Sequence, residues 1–157
     1  MMRLTCACLA LAAAVCAGTA RAQPATKRVL TLAEAKQAIA AAEAEAARNG
    51  WPSVIAVVDD EGWLIAMERM DHPAMMSSIE LAPGKARAAA LYRKPTAELE
   101  KAIDGGRVAA VTAPFVQMQG GVPLVLGGEL VGAIGVSTDT PAHDEQVAEA
   151  GAKALRP

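Results

Sequence analysis

One imidazole and a run of thioethers fall close together in the segment AMERMDHPAMM: Met67, Met70, His72, Met75 and Met76. Thioether sulfur and imidazole nitrogen are soft donors, suited to Cu(I). Two points weigh against a copper site. Met67 and Met70 are three apart, which puts them on opposite faces of a regular strand, and methionine is a common filler of irregular core gaps. His72 on its own reads first as a loop histidine between a strand and a helix. The other histidine, His143, precedes Asp144 and Glu145 and reads as the solvated first turn of a helix. Asp59, Asp60 and Glu61 read as a hairpin tip before they read as a metal cluster.

Other chemistries lack their residues. The three cysteines, Cys6, Cys8 and Cys16, all fall near the N-terminus. There Met1-Met2-Arg3, an apolar run over 4–18 and Ala20-Arg21-Ala22 predict a secretory signal peptide over residues 1–22, too short to span a membrane. The expected product is periplasmic or secreted, without disulfide or thiol chemistry and without membrane attachment. Losing Arg3 and Arg21 leaves 13 basic against 17 acidic residues, a net charge of −4. With no basic run and only two Trp, one Tyr and one Phe, phosphate neutralisation and base stacking both lack their groups, so nucleic acid is excluded. No Ser-His-Asp set or phosphate loop is present. Gly120-Gly121 and Gly127-Gly128 belong to turns that no helix follows.

The elements that must position these residues are legible in order. After a leader over 23–30, Thr31 and Glu34 form a T-x-x-E capping box. Leu32, Ala35, Ile39, Ala42 and Ala46 then recur at helical spacing until Asn49-Gly50 and Pro52. Residues 54–58 and 63–70 read as a hairpin. A helix over 75–92 follows, in which Pro83-Gly84 predicts a kink or break. Thr96 is expected to cap a short helix over 97–103. Residues 107–119 are ambiguous, with 115–118 as a candidate strand. Residues 122–126 and 129–137 form a hairpin about Gly127-Gly128. In its second strand Leu130, Gly132, Ile134 and Val136 alternate with Val131, Ala133, Gly135 and Ser137, a nearly bare face expected to receive a helix. Thr140 and Pro141 open a last helix, to about 155. Hairpin-joined strands with flanking helices predict a single α+β domain over 31–157, an antiparallel sheet of about five strands with helices packed on it.

Four segments, SVIAVVDDEGWLIAMERMD, SSIELAPGKARAAAL, GGVPLVLGGELVGAIGVS and TPAHDEQVAEAGAKAL, together resemble the GlcG/HbpS-like family, also called the haem-degrading domain family, over residues 30–156. The resemblance implies a profilin-like α-β-α fold, assembly into homo-oligomers and, as in several members, haem binding. A haem needs an apolar slot, one or two axial ligands and cations for its propionates. On that footing His72 is the expected iron ligand, with Met70, Met75, Met76 and Lys85 as its cofactor-binding neighbours. Arg87 and Arg93 are further candidate cations, although charges along a helix ordinarily mark a solvated face. The chain departs from the family pattern at His72-Pro73, at Ala88 where relatives often carry threonine, and at Pro83-Gly84 beside Lys85. The expected function is haem binding, for sensing, storage or handling. Two alternatives stay open: a binding module for another flat small molecule or a soft metal such as copper, and an enzyme of small-molecule catabolism or haem degradation.

Overall fold

The computed structural model describes residues 26–155. The predicted signal peptide and the first part of its leader lie outside the described residues. In chain order the elements are α1 (Leu32–Asn49), β1 (Val54–Asp59), β2 (Leu64–Arg69), α2 (Ser78–Tyr92), α3 (Thr96–Asp104), a 3-10 turn (Val108–Thr112), β3 (Gly121–Leu126), β4 (Glu129–Ser137) and α4 (Pro141–Lys153). The sheet runs β2-β1-β4-β3 and every pairing is antiparallel. Helices α1 and α4 cover one face and α2 the other, an α-β-α sandwich of the α+β class.

Side-chain size on β4 decides which helix lies where. Ile134 and Val136 join α1 and α4 in the main core, with Ile39, Ile55 and Val147. Burying one such side chain stabilises the fold by roughly 1.5–3 kcal/mol. The opposite face is bare because α2 lies against it. A Cβ built on Gly135 would overlap the Ala82 carbonyl oxygen and the Ala86 amide nitrogen. The predicted alternation fails at one place. Between Leu124 and Val125 of β3 the register slips past Val131, a β-bulge. The extra residue turns Val131 into the main core beside Ile134.

The ends of α1 and α4 follow their sequence signals. Thr31 and Glu34 form the reciprocal capping box, and Thr140 accepts from the His143 amide ahead of Pro141. Leu30, the last leader residue, is buried in the main core, whereas Leu32 is half exposed and does not join the stripe predicted for it.

Four expectations are corrected. The sheet has four strands among the described residues, not about five. Residues 115–118 are not a strand; β3 is already the outer strand, and this segment lies beside Leu81 and Ile103 instead. Helix α2 starts at Ser78 and runs unbroken through Pro83-Gly84. Its packing on β4 holds it together there, and Gly84 leaves space for Val116, which any Cβ would meet. Thr96 does not cap α3 with its side chain. It is buried, and its hydroxyl accepts from the Gly121 amide at 2.8 Å, joining α3 to β3.

Candidate functional site

The chain between β2 and α2 folds back over one end of the sheet. Val54 and Arg69 are ladder partners there, and Val54 belongs to the small core under α2. Pro73, Met75, Met76 and Ile79 close over them, and these six side chains line an open cleft of about 260 Å³. The lining is apolar except for Arg69, which makes no ion pair among the described residues. Met76 is 81% exposed, an apolar side chain with nothing over it.

His72 stands immediately before that lining, exposed and outside it. Its φ is +55°, a left-handed backbone, and it precedes a proline. Residues before proline favour extended conformations, and non-glycine residues rarely take positive φ, histidine being among those that do so more often. The chain therefore turns sharply at His72 before Pro73 enters the cleft wall.

The structure brings only some of the expected residues together. Met75 and Met76 line the cleft, whereas His72 precedes Pro73 in the chain and is not part of the lining. Met67 packs with Val54, Ala56 and Ala82 under α2, while Met70 packs into the main core on the other face. The Met70 sulfur also accepts from the Ser53 amide at 3.4 Å. Strand alternation thus separates these two methionines, as their spacing predicts. The Asp59 side chain accepts from the Glu61 and Trp63 amides, and Asp60 pairs with Lys27 at 2.6 Å. That turn is a hairpin tip.

Lys85 lies elsewhere. It is 1% exposed, and its Nζ donates to Asp144 Oδ2 at 2.5 Å and to the Val136 carbonyl at 3.2 Å. The other Asp144 oxygen accepts from the Thr138 amide and, at 2.7 Å, from the Thr138 hydroxyl. Lys85 is therefore engaged inside the fold and is not part of a solvated face with Arg87 and Arg93. Arg87 instead lies over the Trp63 ring, 5.2 Å from its centroid, and Arg93 closes α2 in a left-handed conformation. Burying Lys85 against one carboxylate balances two desolvated charges, since neither is tolerated alone. His143 is not simply solvated either. Its ring stacks on Trp51 at 3.6 Å between centroids, and Nδ1 lies 2.7 Å from Asp139 Oδ1. Hydrogen bonding to His143 holds the Asp139 carboxyl below its ordinary value.

Sequence reasoning missed Val54, Arg69, Pro73 and Ile79 in the cleft, and Asp144 and Thr138 around the buried pair. The cleft residues meet through strand register, which one strand read alone does not reveal. The pair did leave a signal. Lys85 sits among Ala82, Ala86 and Ala89, and Asp144 precedes Val147, Ala148 and Gly151, so both charges fall on buried stripes at helical spacing.

The sequence model of the family described as haem degrading protein, HbpS-like, matches residues 30–153. The chain belongs to the HbpS-like family. Among its HbpS-like relatives, the protein GlcG of Escherichia coli (strain K12) is 45% identical over 113 residues, 71% of this chain and 84% of that protein. The crystal structure of HbpS superposes with a TM-score of 0.77 at 33% identity, covering 87% of this chain and 97% of that one. A second solved structure, of a PduOC:heme complex, gives a TM-score of 0.73 at 28% identity, covering 82% of this chain and 96% of that one. The family and the α+β fold expected from the sequence are both borne out.

Proposed function

We propose that this chain binds haem in the cleft formed by Val54, Arg69, Pro73, Met75, Met76 and Ile79. The observation that carries the reading is an open apolar lining that holds one arginine without an ion pair among the described residues, and that begins at Pro73, the residue after His72. The residues fit the group: haem supplies a flat apolar face, an iron that takes axial donors and anionic propionates. Met75, Met76 and Ile79 would cover the macrocycle, Arg69 would meet a propionate, and His72, exposed ahead of the lining, would be the residue to supply a nitrogen donor to the iron. Lys85 and Met70, expected as neighbours of the haem, stay with Asp144 and the main core. The reading is supported by the family's description and by the heme complex of PduOC.

The cleft is open, and its volume of about 260 Å³ falls below that of ligand sites, which run from roughly 300 Å³ upward. We therefore propose that a second copy of the chain completes it, in a homo-oligomer exported to the periplasm or beyond. Titrating the purified protein with haemin tests the reading. A Soret shift saturating at stoichiometric haemin is expected. His72→Ala should change the band, and Arg69→Ala should weaken affinity about tenfold through loss of a charge-assisted contact. An unchanged spectrum at stoichiometric haemin overturns the proposal.

A further inference from the structure

A second cavity, of about 300 Å³, lies at the far end of α2 from the cleft, walled by Tyr92, Leu99 and Ala110 among others. Its charged lining consists of Lys94 and Arg107, without a single carboxylate, in a chain where 17 acids outnumber 15 bases. Arg107 has no ion pair among the described residues. Lys94 reaches Glu98 at 3.5 Å, but both side chains are well exposed, and such pairs hold weakly. Gln117, 8% exposed, donates one Nε2 hydrogen to the Ala110 carbonyl at 2.6 Å. An amide of this kind has a further donor and an acceptor oxygen to satisfy. The Tyr92 ring lies edge-on to Phe115, with centroids 5.5 Å apart, so this wall presents an aromatic ring.

We propose that this cavity binds a small organic anion: a carboxylate carried on a compact apolar or aromatic body. Lys94 and Arg107 meet the carboxylate at the mouth, Gln117 supplies a directed hydrogen bond, and Leu99, Ala110 and Tyr92 receive the body. Two cations in a lining that holds no carboxylate give the site its sign, with the exposed Glu98 competing only weakly for Lys94, and the apolar floor excludes strongly hydrated inorganic anions. The site is independent of the haem reading. The 15 residues of α2 separate the two places by roughly 20 Å of helix.

Benzoate and 3-methylbutanoate are suitable probes, with neutral benzamide and cationic benzamidine as controls, followed by amide chemical shifts of the purified protein. Benzoate at millimolar concentration should shift the amides of Tyr92, Leu99 and Ala110 and leave residues 73–79 unmoved. Arg107→Gln and Lys94→Gln should each weaken it about tenfold, added salt should weaken it further, and haemin titration of both variants should be unchanged. Both side chains are solvent-facing, so thermal unfolding of the variants should match that of the parent. Absence of shifts with both carboxylates, equal binding of benzamide, or shifts confined to 73–79 would overturn the assignment.

Discussion

Lys85 Nζ and Asp144 Oδ2 meet at 2.5 Å in the interior, so a helix on one face of the sheet is joined to a helix on the other past the end of β4. The Val136 carbonyl also accepts from Lys85, and the Thr138 amide and hydroxyl donate to Asp144. Any Cβ on Gly120 would press on Asp144 and the Val136 carbonyl, so the loop into β3 also closes over the pair.

Lys85→Met leaves Asp144 charged and buried without its cation, and it should lower unfolding free energy by about 3–5 kcal/mol in urea titrations. Lys85→Met with Asp144→Leu should cost clearly less than the two single losses added together, because neither charge is then stranded. Additive losses would show that the two side chains act separately.

Gly135→Ala forces a methyl against the backbone of α2 and should destabilise by about 3 kcal/mol or more. Gly127→Ala meets nothing within 4 Å and suffers only from its φ of +60°, so about 1 kcal/mol is expected. Equal losses at the two positions would contradict the close seating of α2 on β4.

Glu145 has a buried Oε2 without a hydrogen-bond partner. Burial first, then the charges of Glu149 and Glu100, raise its pKa above the ordinary 4.5, against an opposing contribution from Gln119. A raised folded-state pKa gives a contribution present in full below 4.5 and lost as pH climbs through the folded value. Glu145→Gln should therefore raise the melting temperature at pH 7 and lose that advantage by about pH 4. A gain of equal size at both pH values would assign the effect to packing.

Haemin affinity should separate the methionines by face. Met75→Ala and Met76→Ala remove cleft wall and should weaken binding several-fold. Met70→Ala removes a core side chain, so it should lower thermal stability and leave affinity nearly intact. A Cu(I) site shared by Met70, Met75 and Met76 would instead make all three substitutions equivalent in copper titrations.

Local chemistry alone determined the capping box at Thr31, the Pro141 start of α4, the hairpin about Gly127-Gly128 and the bare face of β4, because each depends on residues adjacent in sequence. The family too was legible, through segments spread along the whole chain. Tertiary structure decided the rest. Pro83 sits inside an unbroken helix because the sheet supports it, and Val131 faces the core because a bulge reverses its side. Lys85, one cation among several in the sequence, is a buried partner of Asp144, 59 residues away. The cleft likewise exists only once Arg69 lies opposite Val54 and the loop carrying His72 folds over them. Helical and strand spacing state which residues share a face; which faces then meet is settled by packing, where volume and charge must balance across segments remote in the chain.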